Sequence, residues 1–503
     1  MNGNPLESDE SSIRRMRTNT YKTLRIAERR NQRLGPVILK LLRVMKFGGT
    51  SVKEVGYITI YDIISNFKDD KVVVVVSALK GVTDNLLEAT RRAESGEEKW
   101  VGDFLSEFKK QHILAAIESI GNFPSRLKER LSEADRELEL ALHGILHLRE
   151  ASPHSVDYVV SFGERYSAEI AAATLVSNGL DARSFTGGEA GIITDDRFGE
   201  AKPIIDITGE RVKERISPLL DGGTIPVVGG FSGITIGGMV TTLGRGGSDY
   251  TATILAKALH ANEVIIWSDV DGILTADPKI VPEAVTLPEI TYAEAMEMAV
   301  LGAKSLHPRV LEPIIDERIP VKLKNTFNPK HEGTLIVERP SRPFPSVVKV
   351  ISLIRDVGML AIRGASMVGE PGTAARFLNK IAEPKINLMM ISQSASETNI
   401  CVVVRRQFLE KAYEVVNEDL GREAKRLEIE PDISVIATVG EGMKGTPGVA
   451  ARMFKAVADA GINVRMVSSG SSELNISFVV KETDGIRAVK ALHREFIEGA
   501  VHG

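Results

Sequence analysis

The sequence predicts an α/β protein: a mainly parallel sheet sandwiched by helices, followed by two small α+β modules. Three observations predict it. Strand-like runs alternate with helical stretches from residue 44 to about residue 339, the order that makes a sheet covered on both faces. Residues 72–76 are five consecutive valines, too short for a helix and apolar on both sides, as a doubly buried strand requires. Residues beyond 350 repeat themselves at an offset of 76, which reads as one module present twice. The 503 residues suit roughly two to four domains. The expected boundaries are a basic extension at 1–43, an α/β domain at 44–339, and modules at 350–426 and 427–503.

The extension is set apart by charge. Up to residue 44 it holds ten Lys/Arg against four acids and lacks the apolar core of a signal peptide. It reads as disordered, or as residues ahead of the true start, since Met45 directly precedes Lys46. A basic arm on nucleic acid is the lesser reading. The formal net charge of −4 argues against nucleic acid as the main partner. The single cysteine, Cys401, rules out an internal disulfide and a cysteine metal cluster, and fits a reducing cytoplasm. No run of about 18 apolar residues predicts a membrane helix.

Further strands are expected at 37–44, 158–161, 225–229, 264–267 and 321–323, with helices at 131–149 and 293–301. In such sheets ligands bind at the carboxyl ends of the strands. The motifs gather there. Lys46-Phe47-Gly48-Gly49-Thr50-Ser51 puts a point charge and two glycines after a strand, where backbone N–H groups can approach an anion. A plain glycine turn gives the same letters. Ser77, and Thr83 after Gly81, follow the valine strand; they suit a phosphate or carboxylate, or simply cap a helix. Ser161-Phe162-Gly163-Glu164-Arg165 is read as a strand end opening a helix, with Glu164 either a dipole partner or a site for an ammonium.

The second strong motif is residues 241–250. Glycines surround Arg245, and Ser248-Asp249 open a helix whose N–H groups can hold an anion, while Arg245 offers a fork for a carboxylate. Ser268, Asp269 and Asp271 end the next strand and run on to Asp277, suiting ribose or metal contacts. Lys304-Ser305 supplies a second lysine for phosphates, or a surface helix end. His143 and His147 lack the glutamate of a zinc protease motif. No Walker A or protein-kinase motif set appears.

The modules align without a gap. Residues 371–376 match 447–452, Ile386-Asn387 match Ile462-Asn463, and Ser392, Glu397, Asn399 and Val403 match Ser468, Glu473, Asn475 and Val479. Each unit reads strand, helix, strand, strand, helix. A spare strand at 427–430, and no obvious fourth strand after 484–498, suggest that the units interleave strands.

Set, order and spacing together resemble the aspartate kinases of the amino-acid-kinase superfamily. The resemblance rests on residues 46–51, 76–78, 161–165, 241–250, 269–277, 327–329 and 333–334, and the tail is similar to paired ferredoxin-like ACT regulatory domains. It implies a monofunctional enzyme, without a fused homoserine dehydrogenase. The reaction implied is transfer of phosphate from ATP, with Mg²⁺, to the side chain of L-aspartate, the first step of the lysine, threonine and methionine branch. A carboxylate of pKa about 4 needs no general base, so alignment and charge cancellation would do the work.

By motif, the resemblance implies Lys46 as the phosphoryl-bridging lysine and Gly48, Gly49, Thr50 and Ser51 along the phosphate path. Asp249 would hold the lysine and backbone donors. Ser77, Thr83, Glu164, Arg245 and Ser248 would bind aspartate, with Glu164 facing its ammonium. Ser268, Asp269, Asp277, Lys304 and Ser305 would contact nucleotide; no residue is assigned as a metal ligand. Leu274 and Lys279 stand where many relatives carry Tyr and Arg, which changes base stacking and phosphate contact. An amino-acid effector, lysine or threonine, would sit against Ser366, Gly369, Gly372, Asn387 and Gln393. Met389, where lysine-sensing relatives often place Asp, leans toward threonine. Pairing of the modules across chains implies a homodimer or larger. The alternatives are a kinase for glutamate or N-acetylglutamate, and a non-catalytic amino-acid sensor.

Overall fold

The computed structural model describes residues 40–300, 306–364, 368–420 and 426–499. The extension to residue 39 and the candidates Lys304, Ser305 and Ser366 lie outside the described residues.

The chain enters through β1 (Leu42–Phe47), α1 (Gly49–Val55) and α2 (Ile58–Ile64), then β2 (Lys71–Val76). A long helical excursion follows: α3 (Val82–Glu94), α4 (Glu98–Ile120), α5 (Ser125–Leu148) and α6 (Pro153–Ser177). Next come β3 (Ala182–Phe185), α7 (Gly187–Ala190), β4 (Ile193–Thr194), α8 (Ile205–Asp221), β5 (Ile225–Gly229), β6 (Ser232–Thr235) and β7 (Val240–Thr242). The first domain closes with α9 (Gly247–Leu259), β8 (Glu263–Ser268), β9 (Glu289–Thr291), α10 (Tyr292–Val300), β10 (Val321–Asn325) and β11 (Thr334–Val337).

Among the described residues eight of these strands form one sheet, ordered β3-β5-β2-β1-β8-β10-β11-β9, and β4, β6 and β7 form a second. Every neighbouring pair in the first is parallel except β10 with β11. The valine run behaves as a strand with period two must. Val73 and Val75 enter the core on one face with Val44, while Val72, Val74 and Val76 enter the other with Met45 and Phe47. Burial of both faces is what lets five valines stand together.

Two expectations are corrected. The strand expected at 37–44 is Leu42–Phe47, so Lys46 lies inside it rather than beyond its end. The strand is held centrally between β2 and β8, and that pairing, not the preceding apolar run, sets its limits. The strand expected at 158–161 lies in the first half of helix α6. Ser152 caps this helix by accepting from Ser155 N–H, and Pro153 opens it. The helix is buried along most of its length, so its apolar residues show no polar face to reveal the helical period.

The C-terminal part contains β12 (Val350–Arg363), α11 (Thr373–Ala382), β13 (Met390–Gln393), β14 (Asn399–Arg405) and α12 (Leu409–Leu420). The repeat follows as β15 (Arg426–Val439), α13 (Val449–Asp459), β16 (Met466–Ser469), β17 (Asn475–Lys481) and α14 (Gly485–His493). Among the described residues one antiparallel sheet holds all six strands, in the order β13-β14-β12-β15-β17-β16. The two central strands are 14 residues each and serve both halves. The later part of β12 pairs with β14, and the later part of β15 pairs with β17. Register shifts near Ile354 and Val357 mark a bulge where β12 passes from one half to the other. The repeat extends to detail: Gly372 and Gly448 cap their helices at φ 90° and 88°, and Glu397 and Glu473 share φ of 56° and 57°. Glu397 and Glu473 each accept from a backbone N–H, of Gly369 and Gly445, at 2.8 and 2.6 Å.

One pair of positions breaks the copying. At Gly358 an added Cβ would lie 2.5 Å from Leu409, so the strand gives way to a large helix residue. At the matching positions Ser434 stands on the strand, and the helix residue is Gly485.

Candidate active site at the carboxyl ends of five strands

The adjacent strands β5, β2, β1, β8 and β10 all end at one edge, and their exits are stitched sideways. Gly230 N–H donates to Val76 O, Ser77 N–H to Phe47 O, Gly48 N–H to Trp267 O, and Thr326 N–H to Ser268 O, all within 2.9–3.1 Å. Each loop is thus anchored to the next strand over, which fixes the backbone donors around the opening.

At its centre Lys46 Nζ lies 2.6 Å from Asp249 Oδ1. Lys46 comes from the end of β1 and Asp249 from the first turn of α9. The side chains are 11% and 16% exposed, so the pair is shielded but open on one side. The Gly244–Gly247 turn delivers Asp249. Gly246 has φ 75°, and a Cβ there would lie 2.6 Å from His307 Cβ. Gly49 is pressed even more tightly: an added Cβ would sit 2.2 Å from Ala78 O. Ser51 is buried and accepts from Thr326 hydroxyl at 2.7 Å.

Glu164 is the unusual group. It sits on α6, 4% exposed, and its Oε2 has no hydrogen-bond partner. Burial pushes its carboxyl up to about 8, although the Ala78 N–H and the Lys46 charge act in the opposite sense. A buried polar atom left without a partner is costly in a folded protein, and this one lies within the electrostatic reach of Lys46.

The other candidates are placed as follows. Ser77 and Thr83 are half-buried, at the exit of β2 and the start of α3. Ser248 is buried against Gly230, where a Cβ would meet it at 2.7 Å. Arg245 is exposed on the rim of the glycine turn, and Thr50 is half-buried in α1. Ser268 ends β8, and its hydroxyl faces Val270 N–H at 3.5 Å. Asp269 is exposed. Asp277 is also exposed and turns back to accept from Lys279 N–H at 2.9 Å. Arg165, beside Glu164 in sequence, points away and is held by Glu137 at 2.5 and 3.0 Å.

In the repeated tail, register puts Gln393 at the same sheet end as Gly369 and Gly372, since Gln393 pairs with Ile400 and Ile400 with Ile362. Asn387 precedes β13 and lies at its other end.

The comparisons with known proteins agree with this geometry. The model of the amino acid kinase family matches residues 42–325, and an ACT domain model matches 360–420 and 436–496. Aspartokinase 1, chloroplastic, of Arabidopsis thaliana is 35% identical over 90% of this chain and 80% of its own. The chain belongs to the aspartokinases of the amino acid kinase family. A solved structure of E. coli aspartokinase III in complex with aspartate and ADP superposes with TM-score 0.75 at 30% identity, over 90% of this chain and 99% of that one. A second, in complex with lysine and aspartate, gives 0.76 over 91% and 100%. The bifunctional aspartokinase/homoserine dehydrogenase 1, chloroplastic, of A. thaliana is 33% identical over 90% of this chain, and the chain spans about half its length.

This aspartokinase site also uses residues that the motifs did not single out. Asp157, 2% exposed in α6, accepts from Gly199 N–H, Thr242 N–H and Thr242 hydroxyl, each at 2.8 Å, and so fixes the strand leading into the glycine turn. Asp271, which the sequence did mark for ribose or metal contact, instead accepts from Asn325 and Asn328 side chains at 2.9 and 3.2 Å and braces the β8 and β10 exits. Gly229-Gly230 gave a visible signal, paired glycines at a strand end. Asp157 gave none, being one acid in an apolar run.

Proposed function

We propose that the chain transfers the terminal phosphoryl group of ATP to the side-chain carboxylate of L-aspartate, releasing ADP and 4-phospho-L-aspartate. The observation that carries this reading is the Lys46–Asp249 pair beside the buried, unpartnered oxygen of Glu164. Glu164 receives the substrate ammonium, and Arg245, Ser77, Thr83 and Ser248 hold its carboxylates. The attacking oxygen is ionised at neutral pH. It forms a new bond to phosphorus as the bond to the bridging oxygen breaks, and the electron pair leaves on ADP. Lys46 lies against the transferring group and offsets the repulsion between two anions, held in place by Asp249. Gly48, Gly49, Thr50 and Ser51 line the path with backbone and hydroxyl donors, while Ser268, Asp269 and Asp277 take the nucleotide.

The donor set fits Mg²⁺ carried on phosphate oxygens: among the described residues no three His, Cys, Asp or Glu side chains group as a metal cage, and the exposed Asp269 is the carboxylate on hand. When bound, the ion supplies further neutralisation of phosphate charge. Residues 44–339 form the catalytic domain, and the two ACT modules take threonine or lysine as feedback effector. A homodimer or larger assembly forms through the modules; Ile391 and Val467, matching positions on edge strands β13 and β16, are 45% and 40% exposed. No helix among the described residues is long and apolar enough to cross a membrane, and we place the enzyme in the cytoplasm, without nucleic acid as partner.

ADP release coupled to a reporter enzyme tests the reading with aspartate, glutamate and N-acetylglutamate. Turnover with aspartate is expected. Turnover with another acid instead would move the substrate, and none with any would leave an amino-acid sensor.

A further inference from the structure

Glu294 lies in the first turn of α10 and is fully buried. Both of its oxygens are used, and they join three distant segments. Oε2 accepts from Thr291 N–H at 2.9 Å and from Lys349 Nζ at 2.8 Å, and Oε1 accepts from Glu441 N–H at 2.7 Å. Lys349 is itself 7% exposed and directly precedes β12; Glu441 follows the end of β15. The two central strands of the ACT sheet therefore both end on one carboxylate of the kinase domain.

The joint has no slack. Lys349 N–H donates to Val439 O at 2.8 Å. A Cβ on Gly440 would lie 2.2 Å from Val347 O, and one on Gly442 would lie 2.9 Å from Val347 Cα. A buried ion pair is seldom the most stable way to fill such a space, because desolvation offsets most of its attraction. Its geometry is specific, however, since every oxygen and ammonium proton must be matched.

Both ends of this connection lead to sites. From Glu294, α10 runs to residue 300, and the chain returns at His307, packed on Gly246 of the turn that carries Asp249. From Lys349, β12 extends for 14 residues, about 45 Å at the usual rise, and releases the loop that holds Gly369 and Gly372.

We propose that Glu294 is a positioning residue: it sets the placement of α10 and of His307, packed on the turn whose Asp249 holds Lys46 on the phosphate side of the site, and it is the point through which the β12–β15 pair acts on that turn. This rests on the functional reading given above. The effector loop would then reach the kinase through a paired-strand connection and a single charged joint.

The test uses the full chain with Glu294→Gln, and separately Glu441→Pro. The proline removes the backbone donor together with an exposed carboxylate, for which Glu441→Gln is the control; it stands at the first position of a short helical turn after an extended Gly440, where proline is tolerated. ADP affinity is measured by calorimetry, and kinetics in parallel. Glu294→Gln is expected to weaken ADP at least fivefold and raise KM for ATP similarly, with KM for aspartate within twofold. The effector should bind within threefold of the parent yet no longer inhibit. Glu441→Pro should move the same quantities in the same direction, less far. ADP affinity, KM for ATP and inhibition all unchanged in both variants would overturn the proposal, as would an equal rise in both KM values. A parent that binds ADP without phosphorylating aspartate sinks the functional reading alone, and the ADP comparison still decides this one. A parent that does not bind ADP sinks both.

Discussion

Glu164 makes aspartate binding depend on pH in a way that can be worked out beforehand. Burial raises its carboxyl from 4.5 to about 8 in the free enzyme. A raised carboxyl pKa means that the native state favours the proton. The contribution to stability is therefore fully present below the unfolded value of 4.5 and is lost as pH rises through about 8. The loss is on the order of 5 kcal/mol at high pH. An ammonium beside Oε2 reverses the preference, because it needs the ionised form. Substrate binding must then expel a proton. At pH 7 only about one free enzyme in eleven is ionised, so aspartate should bind about elevenfold more weakly than to the ionised enzyme; at pH 6 the factor is about 100, and at pH 8 about two. The apparent KM for aspartate should thus fall about 50-fold from pH 6 to pH 8. Calorimetry in buffers of different ionisation enthalpy should find nearly one proton released per aspartate at pH 7. Glu164→Gln should bind aspartate weakly with a flat profile. A parent KM constant over this range, with no proton released, would refute the reasoning.

Lys46→Met should lower kcat by about 10²–10³, the usual cost of removing one preorganised charge from a developing anion, with an unchanged circular dichroism spectrum; near-parental turnover would remove Lys46 from its role. Gly49→Ala forces a Cβ to within 2.2 Å of Ala78 O, so the loop must shift, and urea unfolding should show a loss of about 1–3 kcal/mol together with lost activity. Asp157→Ala leaves the Gly199 and Thr242 N–H groups and the Thr242 hydroxyl without their acceptor; a loss of about 1–3 kcal/mol should appear in the same measurement. Titrating threonine and lysine into the kinase assay should show threonine inhibiting at the lower concentration, and the opposite order would reverse the argument from Met389.

Much of the sheet was legible because its centre is doubly buried. The valine run at β2 and the expected strand at 225–229, observed as Ile225–Gly229, owe their identity to local composition. The same cue misled at 158–161. A helix buried on nearly all sides has Tyr, Val and Phe where a surface helix would show charge, and only Ser152-Pro153 marked its start. In the site, the glycine and lysine motifs were readable because strand exits need them locally. Asp157 and Thr326 were not, because each acts on a partner 42 to 275 residues away. Glu294 is of the same kind: its meaning lies in Lys349 and Glu441, 55 and 147 residues on.

The exchange of glycine between Gly358 and Gly485 makes the two repeats a matched pair rather than two equal copies. Where the first half places Leu409 over a glycine, the second leaves Gly485 beneath Leu353, 2.8 Å from where a Cβ would stand. A chain rebuilt from two copies of the first repeat would drive a leucine at position 485 into Leu353. The halves therefore have a left and a right, and neither can take the other's seat. That handedness matches the seating of the second half, whose core runs on into Ala276 and Val281 of the first domain.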